Sequence, residues 1–337
     1  MICLKTYQLF LLLFVAIFST TAGADVTKEN EADPVIAQLY HTLKAMPKSD
    51  MNKRLDLISQ QLLNKPYLLG SLGEGVEGKF DQFPLYRADA FDCETFVDTV
   101  LAIALAQNPS GFKQCIKQIR YRSGQVSFLA RNHFTDLDWN RNNQQQGFVK
   151  DITEQLQDQY NKPVFQTATA QINKPGWYQH FTLNNIRLTD NNPEERTQRL
   201  NLLKEKGSQL ENVKSSIPYI PFTALFSSDG KENKFIFKQI PDGSIIEVIR
   251  PDWNLSDKIG TNLNVSHLGF GFWKNDVLMF SEASTVHGRT VEIPLAEYLR
   301  EYLQSPTIKG INVQVVVPAT AFKDGCKKGT VDEKLTE

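Results

Sequence analysis

Between residues 34 and 65, PVIAQLYHTLKAMPKSDMNKRLDLISQQLLNK, apolar residues recur at helical spacing and Pro47 interrupts them, which predicts two amphipathic helices. Residues 66–91 are punctuated by Gly and Pro and read as a loop. That loop delivers the chain to DCETFVDTVLAIAL, where Asp92 is a good N-cap and Val97, Val100, Leu101, Ala104 and Leu105 share one helical face. Cys93 is then the first helical residue. A second short helix, roughly Ser110 to Ile119, follows Pro109. From Arg120 to Gly147 the chain is polar and rich in aromatics without a sustained period, which predicts a long functional loop.

A charged helix beginning near Asn192 and Pro193 reads as a solvated face. Beyond it the period changes. KFIFKQI, GSIIEVIR, VSHLGFGFW, VLMFSEAS, TVEIPL and GINVQVVVP are short β-rich runs separated by turn residues, the pattern of an antiparallel sheet. Helices first and strands later argue for an α+β fold, and no internal repeat is present.

The N-terminus changes the picture of where such a chain works. One Lys, an apolar run from Leu9 to Phe18 and the small residues Ala22, Gly23 and Ala24 form the three-part pattern of a secretory signal, with cleavage expected after Ala24. The run is about half the ~20 residues a spanning helix needs, which argues against an integral membrane protein. With 37 basic against 38 acidic residues there is no electrostatic footprint for nucleic acid, and IRYRSG at Ile119 to Gly124 is too short to supply one. Cleavage would remove Cys3 and leave Cys93, Cys115 and Cys326, an odd number, so at least one thiol stays free or pairs between chains. A Cys115–Cys326 bridge is one arrangement, which the sequence alone leaves open. No C-x-x-C, H-E-x-x-H or His pair at i,i+4 exists among His41, His133, His180, His267 and His287, so neither a metal nor another cofactor is expected.

The candidate chemistry centres on Cys93. At the first position of a helix, free backbone N–H groups and the positive end of the dipole favour a thiolate, although most cysteines are simply small buried hydrophobes. A nucleophilic cysteine needs a base, and His267 in NVSHLGFGFW is the best candidate. Alternation there places Val265, His267 and Gly269 on one face, and Gly269 and Gly271 leave room for close backbone approach.

FDCETFVDTVLA, IRYRSG with ARNHFTDLDWNRNN, IPDGSIIEV, VSHLGFGFW and LMFSEAS, in that order, resemble the bacterial N-acetylmuramoyl-L-alanine amidase-like family, formerly the domain of unknown function DUF1460. That family belongs to the NlpC/P60 group of papain-like cell-wall cysteine hydrolases. The resemblance runs from about Tyr86 to Val317. It implies a papain-like core with the Cys93 helix packed on an antiparallel sheet, preceded by an added helical region over 25–85 and followed by a flexible tail over 321–337. Cys93 would be the nucleophile and His267 the base. The family's third residue is commonly a His before an Ala-Ser pair, and here Glu282 stands in its place, with Ser281 beside it and His287 as the fallback. The oxyanion would be held by the Cys93 N–H and by Tyr86 or Arg87. Arg131, His133, Asp136, Trp139 and Asn140 match the substrate-lining segment, Arg131 for a peptide carboxylate and Trp139 for a sugar face. His133 is also a second candidate for the base. The implied function is an exported amidase acting on peptidoglycan or muropeptides through a thioester; cleavage between D-Glu and the diamino acid, a non-catalytic cell-wall-binding role and a secreted peptidase are the alternatives.

Overall fold

A computed structural model describes residues 25–46, 50–190 and 192–326. The expected signal, Cys3, the Pro47 break and everything beyond Cys326 lie outside them. The helices are α1 (Asp25–Leu43), α2 (Met51–Gln61), α3 (Cys93–Leu105), α4 (Pro109–Arg120), α5 (Asn140–Gln145), α6 (Lys174–Gln179), α7 (Pro193–Ser208), α8 (Phe222–Leu225), α9 (Lys234–Phe237), α10 (Ser256–Ile259) and α11 (Leu295–Arg300). The strands are β1 (Val149–Asp151), β2 (Gln166–Asn173), β3 (Asn212–Pro221), β4 (Ser244–Asn254), β5 (Asn262–Lys274), β6 (Val277–Ser284), β7 (Arg289–Pro294) and β8 (Gly310–Val316).

All strand pairs are antiparallel, in the order β2-β3-β8-β4-β5-β6-β7, with β1 also on β8. The chain is therefore α+β, as its order of patterns predicts. Period-2 burial explains the sheet's position: Ile245, Leu268, Phe270 and Phe272 project into a core shared with α1 to α4, whereas Ile246, Val248, Phe280 and Val313 project into a second core covered by α8, α9 and α11. Helices α1 and α2 share the core of α3 and α4, so the 25–85 region packs as part of the same body.

Four expectations need correction. Residues 234–237, KFIF, form α9 instead of a strand, because Asn233 caps the Phe235 N–H at 3.2 Å and a short apolar run fits either period. Residues 120–147 are not a structureless loop but a chain of short helical turns ending in α5, with Trp139, Asn140 and Asn143 among the side chains it buries. Residues 321–326 are tied down: Phe322 N donates to Leu105 O at 2.7 Å, and Cys115 and Cys326 form a disulfide. The alternation around His267 is broken by a bulge, since Val248 pairs with His267 but Ile249 with Val265, leaving Ser266 over. Val265 thereby falls on the face opposite His267, while Gly269 stays with it.

Candidate active site around Cys93

Helix α3 begins at Cys93 because its first turn is closed on both sides. Asp92 Oδ1 accepts from Thr95 N at 2.9 Å, and Thr95 Oγ1 accepts from Asp92 N at 2.9 Å, a reciprocal capping box. The second carboxylate oxygen of Asp92 accepts from Gly70 N at 2.8 Å, which fixes the incoming loop against the helix start. Cys93 is half-buried, and it is the free thiol among the described cysteines because Cys115 and Cys326 are bridged.

His267 approaches that sulfur from β5. The Cys93 side chain is close enough to the ring to act on its charge, and Nε2 hydrogen-bonds Glu282 Oε2 on β6. The pairing of β5 with β6 runs only from Lys274↔Val277 to Phe270↔Ser281, so His267 and Glu282 sit where the two strands have stopped exchanging backbone bonds. Phe280 lies edge-on to the imidazole at 5.9 Å and Tyr298 stacks on it at 6.0 Å, which leaves the ring only partly exposed. Burial works against charge on this ring, yet the Cys93 sulfur and the Glu282 carboxylate outweigh burial and raise the His267 pKa to about 10. Ser281 points the other way, its hydroxyl 2.6 Å from that of Ser59 on α2, and His287 Nδ1 lies 3.1 Å from Ser284 Oγ in the β6–β7 turn. Of the three residues considered beside His267, Glu282 is the one that touches it.

Tyr86 and Arg87 are engaged elsewhere. The Tyr86 hydroxyl donates to Asp33 Oδ1 at 2.8 Å on α1, and the Arg87 guanidinium is bidentate to Asp89 at 2.6 and 2.8 Å. Tyr67 lies near the start of α3, its backbone bridged to Phe91 two residues before Cys93; burial first, then the charges of Cys93, Asp92 and Glu282, push its phenol pKa up. Its backbone is held by Gly288 O at 2.9 Å, and its hydroxyl has no hydrogen-bond partner among the described residues. Nothing periodic marks Tyr67 in sequence; a lone tyrosine after Lys65 and Pro66 in a Gly-rich loop is the only signal.

The five residues expected to line the substrate divide into two groups. Trp139 is fully buried with Nε1 donating to Asp98 Oδ1 at 2.7 Å, so its face is not open to a sugar. Asn140 donates to Glu247 Oε2 at 3.1 Å, and Asp136 accepts from Asn264 Nδ2 at 2.7 Å, both inside the protein. These three are corrections: their polar groups are absorbed by partners that long-range packing supplies. Arg131 and His133 do line a cavity, beside Trp177 and Arg187. Arg131, however, donates to Asp81 at 2.7 Å and to Glu74 at 2.8 Å, which leaves it no charge to offer a peptide carboxylate. His133 donates Nε2–H to Phe128 O at 2.7 Å, and burial and the charge of Arg131 hold its pKa well below 6.5. It makes no contact with Cys93 and is no rival to His267. No group of three or more His, Cys, Asp or Glu side chains arranged to hold a metal occurs among the described residues.

A Legionella pneumophila protein assigned to the DUF1460 family has a solved structure that superposes on this chain with a TM-score of 0.86 at 47% identity, covering 89% of this chain and 99% of that one. An N-acetylmuramoyl-L-alanine amidase from Bacteroides uniformis superposes with a TM-score of 0.52 at 22% identity over 80% of this chain and 99% of that one, a likeness of fold. Among curated proteins, none matches the sequence. The sequence profile described as AmiA-like, N-acetylmuramoyl-L-alanine amidase-like, matches residues 57–308. That span holds the capped Cys93, His267 and Glu282, and the chain belongs to the N-acetylmuramoyl-L-alanine amidase-like family.

Proposed function

We propose that the protein is an exported cysteine amidase with an NlpC/P60-type, papain-like core that hydrolyses the amide between N-acetylmuramic acid and L-alanine in peptidoglycan or muropeptides. The observation that carries the reading is the His267 ring, whose charge the Cys93 side chain favours and whose Nε2 hydrogen-bonds Glu282. A thiolate at a helix start paired with an imidazolium is a nucleophile beside its own proton donor.

The Cys93 thiolate attacks the lactyl carbonyl carbon, and the C=O electron pair moves to oxygen. Donors for that oxyanion are the Cys93 backbone N–H and the Tyr67 hydroxyl, in place of Tyr86 or Arg87. The tetrahedral intermediate collapses as the C–N bond breaks and His267 gives its proton to the departing alanine nitrogen, leaving a thioester. Water then attacks the thioester carbonyl while neutral His267 takes its proton, and the returning pair expels the thiolate. Glu282 accepts the other imidazole N–H throughout, fixing the tautomer and favouring the cation. Phe280 and Tyr298 leave the ring only partly exposed.

Export rests on the leader pattern of residues 1–24, and no described helix is long and apolar enough to cross a membrane. Mass spectrometry of defined muropeptides incubated with wild type and Cys93→Ala tests the reading. Release of a stem peptide with a free N-terminal alanine by wild type alone is expected. A new N-terminus at the diamino acid would move the scissile bond to D-Glu, and equal products from both proteins would remove Cys93 from the chemistry.

A further inference from the structure

Arginines taken out of water in this protein are matched by acceptors. Arg87 pairs with Asp89, Arg120 with Asp98, Arg131 with Glu74 and Asp81, and Arg187 with Asp81, while Arg54 donates to the Ala104 and Ala106 carbonyls at the end of α3. Arg250, half-buried on β4, differs. Its Nε donates to Thr307 Oγ1 at 3.1 Å, but neither Nη nitrogen has a hydrogen bond and no carboxylate pairs with it among the described residues. The guanidinium lies 3.9 Å from the centre of the Trp253 ring, and burial lowers its pKa, with the phenols of Tyr302 and Tyr298 opposing. A half-desolvated cation without a counter-charge is unfavourable, and one stacked on an indole with both Nη groups uncommitted is a planar fork suited to a carboxylate.

The sheet places this fork on the same face as the dyad. Val248 pairs directly with His267, so their side chains leave one face, and Arg250, two residues further along β4, leaves it too, roughly 7 Å along the strand. The aromatic rings of α11 link the two positions. Tyr298 stacks on His267 at 6.0 Å, Tyr302 lies 5.2 Å from Tyr298, and both phenols are close enough to Arg250 to act on its charge. In the proposed reaction His267 gives its proton to the departing nitrogen, so the released peptide lies on the imidazole side of the scissile bond. An extended peptide advances about 3.3–3.6 Å per residue, which brings the residue after the alanine level with the guanidinium. When that residue is joined through its side-chain carboxyl, as isoglutamate, its α-carboxylate stands free.

We propose that Arg250, oriented by Trp253 and Thr307, is a specificity-determining residue that takes this free carboxylate and so discriminates an isoglutamate stem from its amidated isoglutamine form. The proposal rests on the amidase reading for the direction in which the peptide leaves. It supplies the charge that Arg131, held by Asp81 and Glu74, does not offer. An amide in the same place presents one carbonyl oxygen and no charge, leaving the fork half met.

The test compares kcat/KM for N-acetylmuramoyl-L-alanyl-D-isoglutamate and N-acetylmuramoyl-L-alanyl-D-isoglutamine. Wild type is expected to favour the isoglutamate compound at least roughly tenfold, chiefly through KM. Arg250→Gln should bring the ratio of the two values to within about twofold by raising KM for the isoglutamate compound. Arg250→Lys, which keeps the charge and loses the fork, should retain an intermediate preference and serves if the glutamine variant fails to fold. A wild-type protein that turns over both compounds equally, or variants that slow both by the same factor, would overturn the assignment and leave the amidase reading intact. Cleavage of neither compound at the lactyl amide would overturn that reading and the assignment with it.

Discussion

The indole nitrogen of Trp139 donates to Asp98 Oδ1 at 2.7 Å, across a sequence separation of 41, and both residues are buried. Asp98 lies on α3, the helix that begins at Cys93, with Arg120 Nε 3.6 Å from its other oxygen. Burial dominates its acidity and pushes the carboxyl up to about 7, with Arg120 and the indole opposing. Trp139→Phe keeps most of the packing and removes the donor, so about 1–3 kcal/mol of stability should be lost. Thermal unfolding should show this while the KM for a muropeptide stays at the wild-type value. A raised KM with an unchanged melting temperature would return Trp139 to the substrate cleft.

Trp139 also shows where sequence reading stops. The polar 120–147 stretch reads as a long functional loop because it has no sustained period and its polar side chains show no distant partner in sequence. The partners are remote: Asp98 for Trp139, Glu247 at a separation of 107 for Asn140, and Asn264 at 128 for Asp136. Local signals fared better. The Asp92 cap and the α3 face are written within one helix, and His267 and Glu282 come from neighbouring strands of one hairpin, so their order was legible before their contact was. The bulge at Ser266 was not, because it arises from pairing with β4. Tyr67 was invisible for the same reason: it sits outside a periodic run, and only the fold brings it near the start of α3.

The two tyrosines separate geometry from proximity in sequence. Tyr67→Phe removes a hydroxyl near the start of α3 and should lower kcat by roughly 10–10³-fold with little change in KM, since an oxyanion donor acts on developing charge. Tyr86→Phe removes a hydrogen bond to Asp33 and should leave kcat near wild type while lowering stability by about 1 kcal/mol. Steady-state kinetics of both variants decide the matter; a reversed pattern would make Tyr86 the donor.

The Cys115–Cys326 bridge closes a sequence separation of 211 and anchors the strap over 321–326 to α4. Breaking it with Cys326→Ser should cost about 2–4 kcal/mol, because the unfolded chain regains freedom that the bridge removed. Thermal unfolding with and without reductant should show a drop for wild type and none for the variant. In a chain starting at Asp25, thiol titration of the denatured, unreduced protein should find Cys93 alone reactive. Three reactive thiols would mean that the bridge does not form.

Glu282→Gln tests the electrostatics of the dyad. The glutamine can still touch the imidazole but carries no charge, so one of the causes that raise the His267 pKa to about 10 disappears. The sign follows from the charged form: a carboxylate stabilises imidazolium, its removal lets the ring lose its proton at lower pH, and the alkaline limb of kcat/KM should shift downward. The same ring contributes to stability. Its folded pKa lies above the ordinary 6.5, so this contribution is full below about 6.5 and is lost as pH rises through about 10; the variant should show a shallower loss over that window. The rate should fall roughly 10²–10⁴-fold, as expected when a base is left in the wrong tautomer or orientation. Paired pH–rate and pH–stability profiles measure both effects. An alkaline limb that stays in place, with a rate within about threefold of wild type, would reduce Glu282 to a bystander and leave His267 without an orienting partner.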